Sequence, residues 1–142
     1  MEVTKRGPVL IVEDGDEDFD MFRRAYVRAG ATHELVRCTD GDEALEYLAR
    51  TTDRPSLVLL DLNLPGLDGR EVLRELRASD PHRAIPIMVL STSNSPRDVE
   101  LCYREGANCY AVKPIGLERL ERLVSLIKEF WLEAMELPGV HR

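Results

Sequence analysis

Short apolar runs that stop abruptly on a polar residue alternate, five times over, with longer stretches of helical period. That alternation marks a parallel sheet covered on both faces by helices, because each crossover between parallel strands is long enough to hold one. The first run is Val-Leu-Ile-Val at 9–12. Phe19, Phe22, Ala25 with Tyr26, and Ala29 follow at spacings of three and four, up to a stop at Gly30. A weaker strand at 33–38 leads to Asp40 as helix cap and to Ala44, Leu45, Leu48 and Ala49 on one face. The strongest run, Leu-Val-Leu-Leu at 57–60, has no polar alternation, as expected of a central strand covered on both sides.

A turn-rich loop after Asp61 ends at Asp68, which caps a helix carrying Val72, Leu73 and Leu76. Ile-Pro-Ile-Met-Val-Leu at 85–90 predicts a fourth strand ending at Ser91, with its proline at the start, where a missing amide is tolerated. Ser95-Pro96 opens a fourth helix that Gly106 stops, and 108–112 closes a fifth strand on Lys113-Pro114. Leu117, Leu120, Leu123 with Val124, Ile127 and Trp131 then predict one long last helix. The reading is a single α/β domain of five β-α units.

Ligands of an open parallel sheet gather at the carboxyl ends of its strands. Glu13 and Asp14 follow the first strand, Asp61 the third, Ser91 the fourth and Lys113 the fifth, so residues far apart in sequence should converge on one edge. Taken singly, each reads as a solvated loop residue; their joint placement at strand ends argues otherwise. Three crowded carboxylates repel one another, and a hard divalent cation relieves this most simply. Mg2+ is the natural choice, because it takes few protein carboxylates and leaves Asp61 free as a nucleophile for phosphorus. Lys113 would supply positive charge and Ser91 a hydroxyl donor to the transferring group. The backbone amides of Asn63 and Thr92 would complete a phosphate cradle, and the Asn63 carbonyl would reach the metal. The Lys113–Pro114 bond is left open between cis and trans; a cis bond would fix the lysine's direction in a tight turn.

Composition removes other classes. A net charge of −7 argues against nucleic acid, which needs clustered Lys and Arg. No apolar run reaches the 18 or so residues of a membrane span, and the start lacks a signal-peptide core, so a cytoplasmic protein is expected. Cys38, Cys102 and Cys109 fit neither a disulfide framework nor a zinc site and read as free thiols, while His33, His82 and His141 are scattered. An aspartyl phosphatase of the haloacid-dehalogenase type needs an acid two residues after the nucleophile, where this chain has Asn63. The alternating Asp14, Asp16 and Asp18 lack the glycine and glutamate of a calcium loop, since those positions are Phe19 and Ala25. No glycine-rich phosphate loop is present.

The stretches Val-Leu-Ile-Val-Glu13-Asp14, Leu-Val-Leu-Leu-Asp61-Leu-Asn-Leu-Pro-Gly-Leu-Asp-Gly, Pro-Ile-Met-Val-Leu-Ser91-Thr-Ser and Gly-Ala-Asn-Cys-Tyr-Ala-Val-Lys113-Pro114 together resemble response-regulator receiver domains over about residues 8–127. The resemblance implies a flavodoxin-like, doubly wound five-stranded parallel sheet of order 2-1-3-4-5 with five helices, an order shared by flavodoxin and a chemotaxis regulator. It divides the chain into a tail at 1–7, a receiver domain at 8–132 and an extension at 133–142. It implies that Asp61 is the phosphoacceptor, Glu13 and Asp14 the metal-binding pair, Ser91 the switch hydroxyl where threonine is more usual, and Lys113 the phosphate-contacting lysine. Tyr110 resembles the aromatic that reorients with that hydroxyl, and Asn63 and Ser93 occupy the positions that tune phosphate lifetime.

On this resemblance the chain is a signalling module in a two-component phosphorelay. It takes its phosphoryl group from a sensor histidine kinase, and catalyses only its own aspartyl phosphorylation and dephosphorylation. Output is expected by protein contact or onward transfer; the alternative is a phosphate-independent binding module on the same fold. Gly-Arg-Glu-Val-Leu, Gly-Ala-Asn-Cys-Tyr and Phe130-Trp131-Leu132 leading to Leu137-Pro138 are similar to stand-alone regulators of phytochrome-type kinases. Leu126, Phe130, Trp131 and Leu132 add apolar groups beyond one helix stripe, and a homodimer through the fourth helix, fifth strand and fifth helix is expected.

Overall fold

A computed structural model describes residues 7–138. The tail at 1–6, the last residues of the extension and His141 lie outside the described residues. Strands β1 (Val9–Val12), β2 (Leu35–Cys38), β3 (Leu57–Leu60), β4 (Ile87–Ser91) and β5 (Cys109–Val112) form one sheet of order β2-β1-β3-β4-β5, with every neighbouring pair parallel. Helices α1 (Asp16–Arg28), α2 (Gly41–Arg50), α3 (Gly69–Ala78), α4 (Pro96–Arg104) and α5 (Leu117–Ile127) follow the strands in turn.

Side chains alternate across a strand, and the two faces sort accordingly. Leu10, Val12, Val58, Leu60, Ile87 and Val89 pack with α2, α3 and α4 residues such as Ala44, Leu73, Leu76 and Cys102. Val9, Ile11, Leu57, Leu59, Met88 and Leu90 pack with Phe22, Ala25 and Tyr26 of α1 and with Leu120, Val124 and Ile127 of α5. Covering both faces explains the unbroken apolar runs in β1 and β3, whose residues are all buried.

The expected caps are made. Asp40 accepts from the Glu43 amide, Asp68 and Glu71 form a reciprocal capping box, and Ser95 accepts from the Asp98 amide. Gly30 and Gly106 sit at φ of 79° and 109° just beyond α1 and α4, a conformation that favours glycine.

Two expectations need correction, the strand starts and the last helix, and one open point, the Lys113–Pro114 bond, is answered. β2 begins at Leu35 and β4 at Ile87, two residues later than the apolar runs suggest in each case; proline has no amide for the ladder, so strand β4 starts just after Pro86. The Lys113–Pro114 bond is trans. The last helix is not uniform: α5 ends at Ile127 and Lys128–Ala134 continues as a π-helix, with the Met135 amide reaching the Phe130 carbonyl five residues back. An α-turn of about 3.6 residues would swing residue 132 off the face that buries Ile127. The wider turn brings Leu132 back, and it is only 4% exposed, within its own domain's core. Leu132 is therefore not a free interface residue, and Trp131 is partly buried against the same core.

Candidate functional site

The backbone ladder extends one rung past the strands to the residues that carry charge. The Glu13 amide donates to the Cys38 carbonyl, the Asp61 amide to Val12, and the Lys113 amide to Ser91. Each functional side chain thus leaves a backbone atom fixed by the neighbouring strand. The segment after Asp61 is held as tightly. The Gly69 amide donates to the Leu62 carbonyl at 3.1 Å, and a Cβ on Gly69 would collide with the carbonyl oxygen of Asp61. Only glycine lets α3 begin so close to the strand end, and the capping box at Asp68 sets where it begins.

At this edge Glu13 and Asp61 are buried and Asp14 is exposed, and one carboxylate oxygen of each lies within 4.8 Å of the others. The Lys113 ammonium donates to Glu13 Oε1 at 2.7 Å, to Asp61 Oδ2 at 2.9 Å and to Asp18 Oδ2 at 3.2 Å, which uses all three of its N–H bonds. Glu13 Oε2 accepts from the Gly15 amide, and Asp61 Oδ1 accepts from the Asn63 amide at 3.0 Å.

Burial raises the Glu13 carboxyl above the usual glutamate range, and the hydrogen bonds from Lys113 and Gly15 offset only part of that; Asp61 pushes in the same direction as burial. Burial alone would lower Lys113, but the carboxylates of Glu13 and Asp61 outweigh it and hold its ammonium above the usual lysine value. The cluster therefore carries four acids, Glu13, Asp14, Asp18 and Asp61, against one lysine, with Asp14 and Asp18 open to solvent. Hard oxygen donors of this kind, two of them desolvated, suit a divalent cation.

Ser91 is fully buried at the end of β4, and its Oγ accepts from the Ser93 amide at 3.1 Å. Ser93 in turn donates its hydroxyl to Asp98 in α4 at 2.5 Å, and its carbonyl accepts from the Tyr110 hydroxyl at 2.8 Å. The Tyr110 hydroxyl is thus joined to the Ser91 loop through the Ser93 carbonyl. Thr92 and Asn63 are exposed beside Ser91 and Asp61.

Glu13, Asp14, Asp61 and Lys113 converge as the strand-end argument expects, with Ser91 ending the adjoining β4, whereas Leu126, Phe130, Trp131 and Leu132 lie on the last helical segment. Two neighbours escaped the sequence reading. Asp18 stands in the first turn of α1, four residues after Asp14, which lies in the loop before that helix. Arg37 comes from β2 and packs under the loop between β1 and α1; nothing local in the sequence marks it. The cysteines remain free thiols, and burial pushes Cys38 up to about 12 and Cys102 up to about 11. Among the described residues no helix is long and apolar enough to cross a membrane.

A family model described as response regulator receiver domain matches residues 9–125. The probable methanogenesis regulatory protein FilR2 of Methanothrix harundinacea is 41% identical over 135 residues, covering 92% of this chain and 87% of that protein. Response regulator Rcp1 of Synechocystis is 38% identical over 136 residues, covering 92% of each chain, and its Mn2+-bound crystal structure superposes with a TM-score of 0.85 over 94% of this chain and 99% of that one. The phosphorylated cyanobacterial phytochrome response regulator RcpA superposes with a TM-score of 0.89 at 38% identity, over 95% of this chain and all of that one.

Proposed function

The chain belongs to the response-regulator receiver family, whose members are phosphorylated on aspartate in two-component signalling, and from that premise we propose that Asp61 is its phosphoacceptor. The observation that carries this is the Lys113 ammonium bonded at once to Glu13 and Asp61 beside the exposed Asp14. Glu13, Asp14, Asp61 and the Asn63 carbonyl would hold Mg2+, which supplies charge neutralisation for phosphoryl oxygens. That Rcp1 crystallises in a Mn2+-bound form supports a divalent ion on this fold.

Transfer begins when an Asp61 carboxylate oxygen attacks phosphorus. An oxygen–phosphorus bond forms as the bond from phosphorus to the imidazole nitrogen of a kinase phosphohistidine breaks; the nitrogen keeps the electron pair and takes up a proton. Lys113 stands 2.9 Å from the attacked carboxylate and needs only a short shift to follow the negative charge onto the phosphoryl group. Ser91 Oγ would turn from the Ser93 amide to donate to a phosphoryl oxygen, and the Ser93 link carries that movement to Tyr110 and α4. Asn63 and Ser93, flanking the acceptor and the hydroxyl, would tune how fast water removes the phosphate, and the amides of Asn63 and Thr92 would cradle it.

The chain works in the cytoplasm, and its donor is a sensor histidine kinase, of phytochrome type on the similarity to RcpA and the Phe130-Trp131-Leu132 tail. Output is by protein contact or onward phosphotransfer, and a homodimer through α4, β5 and α5 is favoured by Leu126 and Phe130, 56% and 50% exposed, and by the exposed Tyr103 of α4 and Val112 of β5. The test is intact-mass spectrometry after incubation with acetyl phosphate and Mg2+. One added phosphoryl group, lost with a chelator and in Asp61→Asn, is expected; an adduct that survives Asp61→Asn would show that another residue is the acceptor.

A further inference from the structure

Arg37 ends on a part of the site that the phosphoryl chemistry does not touch. Its Nε donates to the Glu13 carbonyl at 3.0 Å, its guanidinium carbon lies 4.8 Å from the centre of the Phe19 ring, and its Nη2 lies 2.9 Å from Asp16 Oδ1. The last is a contact of charge without hydrogen-bond alignment. The arginine side chain is 20% exposed and Asp16 is 91% exposed, so the bond to the Glu13 carbonyl is partly shielded from water while the Asp16 contact is open to it. They fall on the residues before and after the pair Asp14-Gly15, and on the first turn of α1 beyond. Asp14, the exposed one of the three clustered carboxylates, is therefore carried by a loop whose two ends are both contacted by one side chain from the edge strand.

We propose that Arg37 is a positioning residue that holds the β1–α1 loop in the shape that presents Glu13 and Asp14 to a divalent cation. The inference rests on the metal-site reading above. A planar guanidinium suits the role because it can stack on Phe19 with one face while its edge reaches the Glu13 carbonyl and Asp16 in different directions. A lysine has one compact head and cannot make the stack and both contacts together. The charge of Arg37 by itself opposes a cation, so the positioning role and the charge predict opposite results on removal.

The test is titration of the full chain with Mn2+ alone, following free Mn2+ by electron paramagnetic resonance. Groups that orient metal ligands typically change affinity by about 10- to 100-fold. Arg37→Met is expected to raise the dissociation constant roughly tenfold, the low end of that range. Arg37→Lys, which keeps the charge, is expected to raise it by a smaller factor, and Arg104→Met, a charge-matched change in α4, to leave it in place. Thermal melting without metal reports folding; if Arg37→Met does not fold, Arg37→Lys decides. Tighter binding by Arg37→Met, or unchanged constants in the folded Arg37 variants even with lowered melting temperature, overturns the proposal. A wild-type chain that binds no Mn2+ instead overturns the metal-site reading, and this inference with it.

Discussion

The carboxyl edge of the sheet and the last helical segment depart from ordinary packing in opposite directions. At the edge, Glu13 and Asp61 are buried charges, whereas along the last segment Leu126 and Phe130 are apolar groups left in water. Burying a charge is expensive and persists only with a partner in place, here Lys113, whose removal would leave two carboxylates stranded. Exposing an apolar group is tolerated at little cost in the monomer, and the gain is deferred until another surface covers it. The first region shows its chemistry inside one chain; the second, in the proposed dimer, would need a second molecule to complete it.

The largest expected effect lies at the edge. Lys113→Met should destabilise the metal-free protein by about 3 kcal/mol, the low end for breaking a buried ion pair. Urea unfolding in chelator and in Mg2+ should show part of that loss recovered by the ion. Equal midpoints for mutant and wild type in chelator would mean that the carboxylates are not strained by proximity, and the contrast would collapse.

Leu132→Ala comes next. A buried leucine cut to alanine loses about 2 to 5 kcal/mol, and the same unfolding experiment should place this variant near 2, since the π-helical turn lies at the end of the chain's core. A change near zero would return Leu132 to the surface and to the interface from which its burial removes it. A smaller effect is expected of Asp68→Ala, which breaks the capping box behind Asp61. It should lower stability by about 1 kcal/mol and, by loosening the start of α3, slow phosphorylation by acetyl phosphate. Unchanged phosphorylation at lowered stability would separate the cap from the site.

Phe130→Ser should alter monomer stability least, by about 0.5 kcal/mol, as expected at an exposed position. Sedimentation of the phosphorylated protein should nevertheless move toward monomer. An unaltered dimer, with Leu126→Ser also silent, would remove the last segment from the proposed output surface.

How far the sequence reaches can be judged from particular residues. The caps at Asp40, Asp68 and Ser95 and the runs at β1 and β3 were legible because each depends on neighbours within a turn or on strict burial of both sheet faces. Glu13, Asp14, Asp61 and Lys113 were legible because strand ends in a parallel sheet must meet at one edge. Arg37 was not, since a charged residue on an edge strand looks like any solvated one until the β1–α1 loop is laid across it. The pairing of Lys113 with Asp18 was hidden as well, since the partners are 95 positions apart.

The chain's own pattern determined the β-α alternation, the helix caps and the edge at which the chemistry gathers, because these follow from hydrophobic period and local hydrogen bonding. Tertiary structure alone decided that Tyr110 reaches the Ser91 loop through the Ser93 carbonyl, that one arginine holds both ends of the acidic loop, and that the last helix widens to bury Leu132 while leaving Phe130 outside. Each of those depends on distances across the fold, where a shift of one residue in helical register changes which side chain meets the core and which meets water.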